Sequence, residues 1–194
     1  MVVTIARQHG SGGRIIGQRV AELLDVPFYD RELIALTAKK TGFAVEFVKG
    51  MEERPNTSLL YGLYNAVSGP TVYDRAQAAQ FSVIREAAKK PCVIVGRAAD
   101  CVLRGKVPCV RVFIYAPMTE RVRRVTEEYQ EEYSDPEKAL LRNDKTRAGF
   151  YNDYAEYPWG DYRNYDLMIS SAAGDEETAK IIVDYVRMLE AKQK

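Results

Sequence analysis

The sequence predicts an α/β protein built on a mainly parallel sheet, and three observations carry that reading. Short apolar runs alternate with segments of helical period along the chain. Several of those runs are almost continuously hydrophobic, as parallel strands covered on both faces require. A glycine-rich turn follows the first run and leads into a helix, the kind of connection at which such sheets bind ligands.

The elements follow in order. The first strand is "VVTIA" at 2–6, followed by "RQHGSGGRIIG" at 7–17 and a helix with Ile16, Val20, Leu23 and Leu24 on one face. "PFYD" at 27–30 is the second strand. Residues 31–90 then read as successive helices, broken around "RPNTSLLYGLYNAVSGP" by Pro55, Gly62, Gly69 and Pro70. The Tyr and Leu side chains there have three uses that periodicity does not separate: local packing, an acceptor pocket or a homodimer contact. "CVIVG" at 92–96, "CVRVFIYA" at 109–116 and "YDLMISS" at 165–171 complete five strands. Residues 134–155 form a polar helix, with Ser134 as its cap and Pro136 and Glu137 in its first turn. That helix lacks a continuous apolar stripe and is expected to protrude as a lid. The last helix carries Ala179, Ile182, Val183, Val186 and Leu189 at helical spacing.

Bulk properties narrow the function classes. A chain of 194 residues suits one domain over 1–194 with a sizeable core. A net charge of +1 provides no field that would recruit nucleic acid. Cys92, Cys101 and Cys109 are odd in number and widely spaced, which reads as free thiols in a reducing compartment. His9 is the only histidine, so neither a His-rich metal site nor a Ser-His-Asp triad is available. With no cationic leader and no apolar stretch of ~20 residues, the protein is expected in the cytoplasm and off the membrane.

The turn admits three readings. A dinucleotide fingerprint, G-x-G-x-x-G, finds Gly10 and Gly12 but meets Ile15 where its third glycine belongs, although Asp30 stands at a suitable distance for a ribose contact. A plain connection needs fewer glycines than Gly10, Gly12 and Gly13. A phosphate cradle fits best: the glycines bend the backbone around an anion, and the helix start adds its positive end and unpaired donors. Arg14 brings the cation that a lysine supplies in G-x-x-x-x-G-K-[ST]. Ile15 leaves no hydroxyl for Mg²⁺, and Ser11 is the nearest candidate, out of the usual position.

The run "RQHGSGGRIIGQRVAELLDVPFYDRELI" resembles the start of the cytidylate kinase-like family, in the P-loop nucleoside-monophosphate kinase group. "VIVGRAADCVL", "VRVFIYAP", "DKTRAGFY" and "WGDYRNYDLMISS" extend the likeness in order over nearly the whole chain. The resemblance implies a P-loop NTPase three-layer sandwich with a five-stranded parallel sheet, a helical acceptor region at about 31–90 and an Arg-bearing lid at about 134–160. It assigns Gly10, Ser11, Gly12, Gly13, Arg14 and Ile15 to the triphosphate loop. "YDREL" puts Asp30 and Arg31 where the acceptor region begins, and "VGR" makes Arg97 an acceptor-phosphate contact. Ala98 stands where cytidylate kinases carry an aspartate. Arg142 and Arg147 fall in the lid.

The implied activity is ATP-dependent phosphoryl transfer to a nucleoside monophosphate, cytidylate-like, with ATP and Mg²⁺ as cofactors and small-molecule nucleotides as partners. In that role Arg14 would hold the β/γ-phosphates, Arg97 the acceptor phosphate and Arg147 the transferring group. Two alternatives stand beside it: a non-catalytic phosphate-binding module with a degenerate loop, and a kinase for another small phosphate acceptor.

Spacing adds further expectations. Lys138, Arg142 and Lys145 share one helical face, while Asp144, Arg147 and Tyr151 share another, so Asp144 is expected to hold Arg147. In "ERVRRVTEE" at 120–128, Glu120–Arg124, Arg123–Glu127 and Arg124–Glu128 are four apart. Arg121 has no such partner and is expected to look toward the nucleotide. Asp30 suits Mg²⁺, ribose or, most commonly, the cap of the next helix. Trp159 reads as a packing anchor rather than a base-stacking platform.

Overall fold

The computed structural model describes residues 1–53 and 71–192. The break expected around Pro55, Gly62, Gly69 and Pro70, with its Tyr and Leu residues, lies outside the described residues.

Five strands, β1 (Val2–Arg7), β2 (Phe28–Tyr29), β3 (Val93–Val95), β4 (Cys109–Tyr115) and β5 (Leu167–Ser170), pair in parallel in the order β2-β3-β1-β4-β5. The helices are α1 (Gly13–Leu24), α2 (Glu32–Thr41), α3 (Val45–Lys49), α4 (Val72–Ala87), α5 (Ala99–Leu103), α6 (Met118–Arg123), α7 (Pro136–Asn152) and α8 (Asp175–Lys192). The strands are shorter than the apolar runs, except that β1 runs on to Arg7. Ile5 lies opposite Val95, and Arg7 opposite Ile114, so the chain leaves β1, β3 and β4 at one edge of the sheet.

Alternation along β1 divides the core. Val3 and Ile5 face Ile16 and Val20 of α1 and Ile182, Val183 and Val186 of α8. Val2 faces the other way, with Ile94, toward Leu33, Val83, Ile84 and Leu103. Both faces of the sheet are thereby covered, which accounts for the continuous apolar runs. Burial pushes the thiols of Cys92 and Cys109 up to about 11 and that of Cys101 to about 12, so all three stay protonated at neutral pH.

Helix α7 departs from expectation twice. Its cap is Asp135, whose side chain accepts from the Lys138 N–H, and not Ser134. It is also docked rather than protruding, with Ala139, Leu140, Asp144, Phe150 and Tyr151 buried. Its inner face includes a carboxylate, so no continuous apolar stripe marks it in the sequence. Among the described residues no helix is long and apolar enough to cross a membrane.

Candidate functional site

The turn between β1 and α1 ends on a bare helix N-terminus. Gly12 is the cap residue, in the left-handed region at φ +76°, and no side chain caps the helix. The first internal bond runs from the Ile16 N–H to the Gly12 carbonyl. Among the described residues no protein acceptor meets the N–H groups of Gly12, Gly13, Arg14 and Ile15. Gly12 and Gly13 are buried while Arg14 and Ile15 are exposed, and open donors at a helix start form a setting that favours an anion. Glycine is required at Gly12 for space as well as conformation, because a Cβ there would lie 2.3 Å from Nη1 of Arg124.

Side chains behind the turn hold it. Ser11 is fully buried, with its hydroxyl 3.0 Å from the Gln8 carbonyl oxygen and 3.2 Å from that of Ile114. His9 is gripped at every polar atom. Its N–H donates to Asp144 at 2.7 Å, and its carbonyl accepts from Arg121 Nε at 2.7 Å. Its ring lies between Glu131, 3.1 Å from Nε2, and Arg147, 3.2 Å from Nδ1. A carboxylate only accepts and a guanidinium only donates, so the neutral ring carries its proton on Nε2. Burial, aided by Arg147, lowers the His9 pKa despite Glu131.

Two expectations are corrected here. Arg121 does not look toward a nucleotide: it is 3% exposed and pairs with Asp144 at 2.6 Å. Asp144 is accordingly spent on Arg121 and the His9 N–H rather than on Arg147. A charge buried this deeply needs a partner, and the nearest one comes from α7 instead of its own helix. Arg147 reaches across the turn, donating to the Arg7 carbonyl at 3.2 Å as well as to His9.

A second loop faces the first. Gly96, Arg97 and Ala98 follow β3 with φ of +75°, +62° and +48°. Two of these are not glycine, and each such residue costs roughly 1–2 kcal/mol. This sharp reversal sets Arg97 in the wall of a cavity of about 30 Å³, with Arg7, Arg147, Asp100, Tyr151 and Trp159. Asp100 is buried and accepts from the Tyr151 hydroxyl at 2.5 Å, and burial pushes its carboxyl above the usual range. Trp159 packs edge-on against Phe113 at 5.2 Å, as a packing anchor does.

The remaining predicted residues lie off this cavity. Arg14 is half exposed and donates through Nε to Asp30 at 2.9 Å. Asp30 is therefore an ion-pair partner and not a cap: α2 starts after Arg31 with no side-chain cap. Arg31 is exposed, as is Arg142, which shares the outward face of α7 with Lys138 and Lys145. Arg7, by contrast, was not marked by sequence reasoning. Its one signal is a basic residue at the end of an apolar strand, immediately before the glycine turn. An open groove of about 610 Å³ beside α1 is lined by Glu22, Asp25 and Glu32 as well as Arg14, which makes it a poor anion site.

The backbone donors fit the phosphates of a nucleotide such as ATP. The side chains do not fit a magnesium site. Ile15 offers no oxygen, the Ser11 hydroxyl is committed to backbone carbonyls, and no cluster of three His, Cys, Asp or Glu residues forms among the described residues.

The family model described as "Cytidylate kinase-like family" matches residues 2–173. A crystal structure of an uncharacterized protein from Eubacterium ventriosum is similar at 27% identity, covering 96% of this chain and 98% of that one, with a TM-score of 0.70. Shikimate kinase from Acinetobacter baumannii is 17% identical over 99% of this chain and 94% of its own, with a TM-score of 0.54. A gluconokinase from Sinorhizobium meliloti is 16% identical over 100% and 97%, with a TM-score of 0.57. These two kinases share the P-loop kinase fold with this chain. No protein of curated function matches it.

Proposed function

The chain belongs to the cytidylate kinase-like family, and on that premise we propose that it transfers a phosphoryl group from ATP to a nucleoside monophosphate, with a cytidylate-like acceptor. One observation carries the reading. The open N–H groups of Gly12 to Ile15 stand at the same sheet edge as the arginine-lined cavity beside the 96–98 loop.

ATP, when bound, supplies the phosphoryl group. The turn's backbone donors take the donor phosphates, and the helix start favours their charge. Arg97 holds the acceptor phosphate, and Arg147, carried by α7, stabilises charge on the group in transit. The docked α7 keeps water from the reacting centre. Asp144 and Arg121 act on this centre through His9, as positioning residues. Asp100 supplies a carboxylate beside the acceptor in place of the one absent at Ala98.

A non-catalytic binding module is the second reading, favoured by Ile15 and by the commitment of the Ser11 hydroxyl to the backbone. Steady-state ADP formation with CMP, dCMP and UMP, in the presence of Mg²⁺, separates the two. The kinase reading expects turnover that depends on a monophosphate and falls ~10³-fold in Arg147→Ala, with ATP affinity changed only a few-fold. ATP binding that no monophosphate converts into turnover would favour the module.

A further inference from the structure

We propose that Arg7 is a phosphate ligand of this site, and that Arg14 is a brace held away from it by Asp30. The inference rests on the proposed function only in placing phosphate at the turn.

Arg7 ends β1, and its side chain is 18% exposed. Two separate segments, the start of α1 and the loop after β3, clear a path for it. A Cβ on Gly13 would lie 2.6 Å from the Arg7 Cβ, and a Cβ on Gly96 would lie 2.1 Å from its Nη1. The guanidinium therefore lies at the fork between the turn and the 96–98 loop, in the wall of the cavity it shares with Arg97 and Arg147. Among the described residues it donates no hydrogen bond. Its ion-pair contact there is Asp30, with Nη2 3.9 Å from Oδ1. The other Asp30 oxygen is taken by Arg14 at 2.9 Å.

The cavity wall carries three guanidinium groups and one carboxyl, Asp100, a cationic excess that suits a phosphate, and the Arg7 fork can offer it two N–H bonds. Arg7 has its donors unspent and only a long contact to give up. Arg14 would have to break a close ion pair and swing in from the exposed side of Asp30. The Arg7 carbonyl already accepts from Arg147, so the residue joins the strand end, the lid helix and the cavity.

The test is calorimetric titration with inorganic tripolyphosphate at fixed ionic strength. Arg7→Gln should weaken binding about tenfold or more, as expected for a lost charged contact. Arg7→Lys should recover part of the loss, and Arg14→Gln should change affinity less than about threefold. Unchanged affinity in Arg7→Gln, or an equal loss in Arg14→Gln, overturns the assignment. If Arg7→Gln does not fold, a crystal structure of the unsubstituted protein with tripolyphosphate decides. A phosphate oxygen within hydrogen-bond distance of the Arg7 guanidinium supports the assignment; Arg14 on the anion with Arg7 still on Asp30 overturns it. Binding through Arg7 without phosphoryl transfer would remove the kinase reading alone. Transfer that survives with tripolyphosphate affinity intact in Arg7→Gln would remove this inference alone.

Discussion

Arg121 and Asp144 form a 2.6 Å ion pair, and each also holds the backbone of His9, Arg121 at its carbonyl and Asp144 at its N–H. Through this pair α6 and α7 fix the glycine turn from behind. Removing one partner leaves the other charge buried, so Arg121→Met should destabilise the protein by about 3–5 kcal/mol. Arg121→Met combined with Asp144→Leu should regain part of that loss, because no unpaired charge remains although the His9 N–H and carbonyl both lose their partners. Urea denaturation of both variants checks this; a single variant costing under ~1 kcal/mol would contradict it.

His9 should make stability depend on pH. Its pKa in the folded protein lies below the ordinary 6.5, so the unfolded chain binds the proton more readily. Its contribution is complete above about pH 6.5 and is lost as pH falls through the folded value. Protonation also puts an N–H at Nδ1, against Arg147. Between pH 7.5 and 5.5, the parent should lose more stability than His9→Gln, at no more than ~1.4 kcal/mol per pH unit. Parallel pH profiles for the two would show that His9 does not titrate in this range.

Tyr151→Phe removes the hydroxyl that Asp100 accepts from inside the core. The expected loss is about 1–3 kcal/mol, the cost of leaving a buried polar group short of its partner. Asp100→Asn keeps the acceptor and removes the titration. The folded pKa of Asp100 is raised, so the parent loses stability as pH rises from the unfolded carboxyl range through that raised value. Asp100→Asn should therefore gain on the parent at pH 7 and not at pH 4, measured by thermal melting at both.

Gly12→Ala should damage stability and nucleotide binding together. The left-handed backbone costs a non-glycine roughly 1–2 kcal/mol, and the new Cβ displaces Arg124, which pairs with Asp175 at 2.7 Å. An Ala variant with unchanged melting temperature and ATP affinity would mean that the turn tolerates rearrangement there.

Much of this architecture is legible in the sequence because it is local. Apolar runs mark β1, β3 and β4, and helical period marks α1 and α8. Contacts between distant segments are not. Arg121 and Asp144 stand 23 residues apart, and periodicity pairs residues only within a helix. Of the pairs read from "ERVRRVTEE", Arg123–Glu127 and Arg124–Glu128 form at 3.8 and 3.9 Å, and the π-helical turn over Arg124–Glu128 brings closer partners to the same arginines. Arg123 meets Glu128 at 2.9 Å, five residues on, and Arg124 turns to Asp175. Arg7 is hidden for a different reason, since a basic residue at a strand end reads as a solvent-exposed terminus. The glycines that make room for it, Gly13 at the start of α1 and Gly96 after β3, lie on two separate segments.

The most direct test of phosphoryl transfer follows the phosphoryl group itself. The protein is incubated with Mg²⁺, ATP labelled in its γ-phosphate and CMP, and the labelled products are separated. The account predicts label in the nucleoside diphosphate formed from CMP, and its loss in Arg147→Ala. Label that stays in ATP, or appears only as inorganic phosphate whichever monophosphate is supplied, would contradict it.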